Sequence, residues 1–212
     1  MVVHNAFFEG FMGLSGCEIK VCGGILAGGQ GKRLGGIAKG LIETASGESM
    51  IANIINQMHC CGVDDIVISA NDGSAYERFG FDVVADLDGR IVGPLGGIEA
   101  VLNYYRGKCD AVVVMPCDLP NITSNEISDL IDRFISCPSP VVCARAADGN
   151  HPLCAVVGVK MLDKISEAIA LGQRRIMGLW IDNDVSVVDF DSEFAFFNIN
   201  TPADVGTRLL TI

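Results

Sequence analysis

The sequence predicts an α/β fold in which helices cover both faces of a mostly parallel β-sheet, a three-layer α/β/α arrangement. Short runs of small and branched apolar residues alternate with longer amphipathic segments along the chain. The apolar runs are continuous, which is typical of parallel strands that are buried on both faces. Half of the residues are hydrophobic and only 19% are charged, so the chain can form a large core.

The first predicted element of the domain is the apolar run KVCGGILA, which predicts a strand. In the next segment, apolar residues at 50, 51, 54, 55 and 58 have helical spacing, and Gly62 closes that helix. A proline near the first turn and a glycine at the end frame a second helix. The predicted elements are a strand over 20–27, a helix over 48–62, a strand over 64–71, a short helix or turn over 74–80, a strand over 81–86 and a helix over 93–107.

The second half continues the alternation. Its first helix opens with Thr123, and Glu126 follows three residues later, which is a capping-box pattern. The predicted elements are a strand over 110–118, a helix over 123–136, strands over 140–145 and 153–158, a helix over 160–171, a helical piece over 173–180, a strand over 184–190 and a last helix from about Pro202.

The domain organisation predicted from the sequence is a single domain over 21–212, preceded by an N-terminal extension over 1–20. No linker rich in proline, serine or charge divides the chain, and no internal repeat is visible. The extension lacks a basic start and carries Glu9 within its apolar part, so we expect a loosely ordered segment rather than a signal peptide. A start of the working protein near Met12 is an open alternative.

Composition excludes several classes of protein. The formal net charge of −11 disfavours a nucleic-acid-binding protein. No apolar run approaches the roughly 20 residues of a membrane helix, so we expect a soluble protein with no membrane partner. The nine cysteines are odd in number and form no C-x-x-C pair, which indicates buried thiols rather than a disulfide or zinc framework. This pattern fits a reducing compartment and predicts a cytoplasmic location.

Three loops follow predicted strands at the edge of the sheet where ligands of such folds bind. They span 26–40, 86–97 and 116–121. The first, LAGGQGKRLGGIAKG, holds six glycines and three basic residues. Glycines let backbone N–H groups approach an anion, while Arg33 and Lys39 can contact phosphate. The residues alone equally allow an exposed glycine loop whose charges only aid solubility.

Two common phosphate-binding patterns fail in this loop. A P-loop requires G-x-x-x-x-G-K-[ST], but Arg33 follows Gly31-Lys32 and Leu26 stands five residues before Gly31. The dinucleotide pattern G-x-G-x-x-G is also missed, because Leu34 stands where the third glycine is required.

The order of residues in several motifs resembles the molybdenum cofactor guanylyltransferases, a branch of the nucleotidyltransferases. The resemblance extends over about 20–206 and implies a Rossmann-like nucleotidyltransferase fold. The motifs that carry it are LAGGQGKRLGG and KGL, VGPLGGI, PCDLPNI, the His151-Pro152 pair, GQRRIM and FFNINTPADV.

This resemblance implies a reaction and its partners. GMP would pass from GTP to the terminal phosphate of molybdenum-loaded molybdopterin, with release of pyrophosphate and with Mg²⁺ as cofactor. A molybdenum-insertion protein and molybdoenzyme chaperones are the further partners implied.

The resemblance also implies the roles of individual residues. Catalytic roles fall to Asp118, Arg33 and Lys39, and Asp118 is also the implied magnesium ligand. Nucleotide-binding roles fall to Leu26, Ala27, Gly28, Gly29, Lys39, Ser69, Asp86 and Asp118, the first three of these through backbone groups. Chemistry supports Asp118 independently, because joining two phosphates requires a cation that offsets their charge. A turn or helix-capping role for Asp118 is the structural alternative.

The pterin side is assigned to Arg174, Arg175, Asn198 and Asn200. Neighbouring arginines on a helix point about 100° apart, so we expect only one of them to face the site. A surface charge pair and strand-end hydrogen bonding are the alternatives for the arginines and asparagines. For His151 we expect a structural or substrate-positioning role.

Two positions depart from the pattern of the family. Ala38 precedes Lys39 where the motif usually reads DKGL, and Ser69 stands where relatives often have asparagine. Serine still offers a donor and an acceptor. These departures leave a cytidylyltransferase acting on the same pterin as the nearest alternative. A non-catalytic nucleotide-binding adaptor on the same fold is a second alternative.

Overall fold

The computed structural model describes residues 11–12, 18–28, 38–44, 47–87, 92–191 and 193–199. The predicted helix from about Pro202 lies outside these residues, as does most of the extension over 1–20. The strands of the described residues are β1 (Phe11–Met12), β2 (Glu18–Ile19), β3 (Val21–Leu26), β4 (Ile66–Ser69), β5 (Asp82–Val84), β6 (Ala111–Pro116), β7 (Val141–Ala146), β8 (Gly149–Gly158) and β9 (Ser186–Asp189).

Helices connect most of these strands. The α-helices of the described residues are α1 (Met50–Cys60), α2 (Pro94–Tyr104), α3 (Ser124–Ser136), α4 (Leu162–Ala170) and α5 (Ile176–Ile181). Short 3-10 turns cover Lys39–Leu41, Gly73–Ala75, Glu77–Phe79, Val159–Met161 and Phe194–Phe196. The predicted capping box of α3 is confirmed, since the Thr123 side chain accepts from the Asn125 N–H and Glu126 accepts from the Thr123 N–H.

The main sheet has seven strands in the order β5-β4-β3-β6-β8-β7-β9. Only β8 runs against the others within this sheet, pairing antiparallel with β6 and β7. The mostly parallel sheet predicted from the sequence is therefore confirmed. Because β8 is reversed, its beginning lies at the same edge as the carboxyl ends of the parallel strands. The short β1 and β2 form a separate antiparallel pair.

The core consists of two apolar layers on opposite faces of the sheet. Alternate residues of β6 divide between them: Val113 packs with α1 and α3, whereas Val112 packs with α2, α4 and α5. All six residues of β6 are buried, which explains why this strand is continuously apolar. The predicted three-layer α/β/α arrangement follows directly from these two layers.

One helix differs from its prediction. The helical piece expected over 173–180 begins only at Ile176, after an extended stretch in which Arg175 has φ −90° and ψ 106°. Gly172 adopts φ 83° and ends the preceding helix, and the Gln173 N–H bonds back to the Ala168 carbonyl. Arg174 and Arg175 therefore precede α5, and the argument that only one of them can face the site does not hold.

Among the described residues no helix is long and apolar enough to cross a membrane.

Candidate active site

A cavity of about 250 Å³ opens at the carboxyl edge of the sheet, above β4, β3 and β6. This is the edge at which the sequence places its three unusual loops. The residues that line the cavity are Leu26, Gly28, Lys39, Ser69, Asn71, Asp86, Gly93, Pro94, Gly97, Pro116, Cys117, Asp118, Leu153 and Asn198. Predicted nucleotide-binding residues from three separate parts of the chain thus meet at one site.

Asp118 is held on both of its carboxylate oxygens. The Lys39 Nζ lies 3.2 Å from Oδ2, and the Asn198 Nδ2 donates to Oδ1 over 3.1 Å. The Ile199 N–H also donates to the Asp118 carbonyl over 3.1 Å. The carboxylate side chain is only 13% exposed and the lysine side chain 21%, so water screens this ion pair less than a surface pair.

Ser69, at the end of β4, places a hydroxyl against the cavity. The residue is 2% exposed, and no described residue hydrogen-bonds to its Oγ. Helix α2 approaches so closely that a Cβ on Gly97 would lie 2.9 Å from this oxygen. Only glycine fits at position 97 without displacing Ser69, and the hydroxyl remains available to a ligand.

Asp86 is clamped by Asn71, a residue that the sequence analysis missed. The Asp86 N–H donates to the Asn71 Oδ1 over 3.0 Å, and the Asn71 Nδ2 donates to the Asp86 Oδ2 over 3.3 Å. Asn71 follows β4 and Asp86 follows β5, so the pair joins two neighbouring strand ends. The sequence feature that could have indicated Asn71 is its position at the end of a predicted strand.

The first loop is described only at its beginning. The Ala27 N–H donates to the Ser69 carbonyl, and the Leu26 carbonyl accepts from the Cys117 N–H. The Ala27 N–H is thus used within the sheet, so the expected nucleotide contact through the backbone of Ala27 would fall to its carbonyl. No described residue bonds to the backbone of Gly28. Gly29 and Arg33 lie outside the described residues.

A second cavity, of about 480 Å³, adjoins the first on the β8 side. Its lining includes Arg174 and Arg175, and the first of these donates from Nη1 to the carbonyls of Gln173 and Ile169. The residues that line both cavities are Pro94, Pro116, Leu153 and Asn198. Asn198 thus faces the predicted pterin side while also holding Asp118, and Asn200 lies outside the described part of the chain.

His151 lines the second cavity in a fixed orientation. Its Nε2 lies 2.8 Å from the Asp148 Oδ1, and its ring stacks on Phe196 with centroids 4.8 Å apart. Both partners restrict rotation of the ring, as the expected positioning role requires.

Cys117 precedes Asp118 and also lines the first cavity. Burial raises the pKa of its thiol to about 12, and the charge of Asp118 adds to this effect. The thiol is therefore neutral at physiological pH and adds no charge beside the ion pair.

The sheet topology and the cavity at its carboxyl edge are those of an α/β protein of the Rossmann-like class. The family model described as the MobA-like NTP transferase domain matches residues 23–185. The chain belongs to this family and is a nucleotidyltransferase.

Relatives and solved structures agree with this assignment. A molybdenum cofactor guanylyltransferase from Vibrio parahaemolyticus is 36% identical, over 85% of this chain and 91% of that protein. The crystal structure of molybdopterin-guanine dinucleotide biosynthesis protein A from Archaeoglobus fulgidus superposes with a TM-score of 0.72 at 23% identity, covering 88% and 95% of the two chains. A Mycobacterium tuberculosis protein solved in complex with manganese superposes with a TM-score of 0.68 at 16% identity, covering 91% of this chain and 99% of that chain. At these identities the two structures show the shared fold alone.

Proposed function

We propose that this enzyme transfers GMP from GTP to the terminal phosphate of molybdenum-loaded molybdopterin. The observation that carries the proposal is the pair of adjoining cavities, with Asp118 and Lys39 in the first and two arginines in the second. The names of the relatives supply the identity of the base and of the acceptor.

The order of strands supports one orientation of the proposed substrates. Ser69 and Asn71 lie at the end of β4, and Asp86 follows β5. Asp118 follows β6, which lies on the other side of β3 in the sheet. We place the base over β4 and β5 and the triphosphate over β3 and β6, where Lys39 and the start of α2 provide positive potential. The acceptor then enters from the β8 side.

The residues at Asp118 fit a magnesium ion bound together with nucleotide. Each carboxylate oxygen has two lone pairs, and the bonds from Lys39 and Asn198 use one on each. Mg²⁺ typically binds one or two carboxylates and takes its other ligands from substrate phosphates and water. When bound, Mg²⁺ offsets the charge of the triphosphate.

The chemistry requires positioning rather than a general base. An oxygen of the acceptor phosphate, already ionised, forms a bond to the α-phosphorus of GTP. The bond to the bridging oxygen breaks, and its electron pair leaves with pyrophosphate. Lys39 balances charge on the triphosphate, and Arg174 and Arg175 hold the anionic acceptor. Asn198, which faces both cavities, keeps the Asp118 carboxylate oriented.

The experiment that tests the proposal is pyrophosphate release in the presence of Mg²⁺ and molybdenum-loaded molybdopterin, run in parallel with GTP and CTP. We expect release with GTP. Release with CTP alone would reassign the base to cytosine, and release with neither nucleotide from folded protein would refute the proposal. The cytoplasmic location stays a prediction, which cell fractionation checks.

A further inference from the structure

The clamp between Asn71 and Asp86 presents an ordered row of hydrogen-bonding groups at the base end of the first cavity. Asn71 accepts the Asp86 N–H on Oδ1, so its amide group cannot be flipped without breaking that bond. Its Nδ2 must therefore lie on the carboxylate side, 3.3 Å from the Asp86 Oδ2. The amide orientation is set by the contacts themselves.

Both side chains keep unused capacity toward the cavity that they line. The Asn71 amide has two hydrogens, and one of them goes to Asp86. No described residue accepts the other. The Asp86 carboxylate likewise has Oδ1 and a second lone pair on Oδ2 available. The pair thus offers one donor beside two acceptor oxygens.

We infer that Asn71 is a specificity-determining residue, which together with Asp86 reads the base by imitating the hydrogen-bonding edge of cytosine. Guanine presents the O6 acceptor followed by the N1–H and N2–H donors, so it matches a row of one donor and two acceptors. Cytosine presents a donor followed by two acceptors. Its donor would face the Asn71 donor, and its acceptors would face the Asp86 oxygens. This inference rests on the proposed use of GTP.

The packing of α2 restricts Asp86, and the exposed Asn71 is held by its two hydrogen bonds to Asp86. A Cβ on Gly96 of α2 would lie 3.0 Å from the Asp86 carboxyl carbon, so the helix backbone limits movement of that carboxylate. The reading edge is therefore formed before the nucleotide arrives, and Asn71 contributes the donor that distinguishes the O6 of guanine from the amino group of cytosine.

The test measures dissociation constants of the full chain for GTP, inosine triphosphate and CTP by calorimetry, with Mg²⁺ and without acceptor. Asn71→Ala should lower the preference for GTP over CTP by about fivefold or more, since one hydrogen bond is lost and one clash is removed. The preference for GTP over inosine triphosphate, which lacks the 2-amino group, should also fall because Asp86 is less firmly oriented. If Asn71 had a merely structural role, its replacement would weaken the binding of all three nucleotides equally.

A second variant keeps the clamp. The double substitution Asn71→Asp with Asp86→Asn retains one carboxylate and one amide but places an acceptor at position 71 and a donor at position 86. It should shift preference further toward CTP than Asn71→Ala does, and Asn56→Ala, an exposed amide of α1, should change nothing.

Unchanged nucleotide ratios in Asn71→Ala and in the double variant would overturn the role of Asn71 while leaving the proposed function intact. Absence of any GTP preference in the wild-type protein would instead refute the base assignment in the proposed function. The two failures are therefore distinguished by the wild-type measurement.

Discussion

The Lys39 ammonium and the Asp118 carboxylate lie 3.2 Å apart, although 79 positions separate them in the chain. Lys39 stands in a 3-10 turn after the first loop, and Asp118 stands two residues beyond β6. The sheet brings both to one edge, and the pair joins the two loops on which the proposed chemistry depends.

Replacement of Asp118 by asparagine should abolish turnover and leave the fold intact. The amide keeps the shape of the side chain but loses the charge that we propose binds Mg²⁺, so we expect kcat to fall by roughly a thousandfold. Pyrophosphate release and the thermal unfolding midpoint are the measurements. Asp129→Asn, on the exposed face of α3, is the matched control. Undiminished release would remove Asp118 from the mechanism.

Replacement of Lys39 by methionine should affect metal and nucleotide in opposite directions. The ammonium occupies the carboxylate on which the metal is proposed to bind, so its removal should raise Mn²⁺ affinity severalfold when no nucleotide is present. Affinity for GTP should fall by about tenfold because a phosphate contact is lost. Electron paramagnetic resonance of free Mn²⁺ measures the first effect. Lys160→Met is the control, and weaker Mn²⁺ binding by Lys39→Met would contradict the competition.

Replacement of Gly97 by alanine should weaken nucleotide binding through a steric effect that a second change relieves. The new methyl group would lie 2.9 Å from the Ser69 Oγ and 3.2 Å from the Leu26 Cδ2. We expect Gly97→Ala to lower GTP affinity by about tenfold or more and Ser69→Ala alone to lower it only a few-fold. The double variant should bind GTP more tightly than Gly97→Ala. If it binds more weakly, the contact with Ser69 is not the cause.

Thiol labelling should follow the burial of the cysteines. Burial raises the pKa of Cys117 to about 12, so at pH 8 its thiol is almost entirely protonated and unreactive. Cys60 is exposed. Iodoacetamide should therefore label Cys60 more than roughly a hundredfold faster in the folded protein, as measured by mass spectrometry. The difference should disappear in denaturant, and equal labelling rates in the folded state would contradict the burial of Cys117.

Local signals in the sequence predicted elements that local contacts stabilise. The capping box at Thr123 lies within four residues, and the structure confirms it. The boundary before α5 was wrong because Gly172 ends α4 by a left-handed turn, and the stretch up to Arg175 stays extended. The reversal of β8 was not predicted, although the Asp148-Gly149 pair between two apolar runs is a hairpin signal.

Motifs in the sequence predicted individual candidate residues, whereas the contacts between these residues arise only from the fold. Lys39 and Asp118 belong to quoted motifs and Asp86 ends a predicted strand, and all three line one cavity. Asn71 lies in no such motif. It was missed because its contact with Asp86, at the neighbouring end of β5, spans 15 positions along the chain. The second contact of Asn198, to Asp118, likewise spans 80 positions and cannot be read from local sequence.

The reversal of β8 places the two adjoining cavities on largely different sets of segments. Because the strand begins at the catalytic edge, the hairpin around Asp148 and Gly149 contributes to the second cavity, whereas the first is lined mainly by segments that follow β3, β4, β5 and β6. If the acceptor binds in the second cavity as proposed, changes at Asn150 or His151 should alter acceptor choice more than nucleotide choice, since neither residue lines the first cavity. Evolution or an engineer could then retarget the proposed transfer largely one substrate at a time.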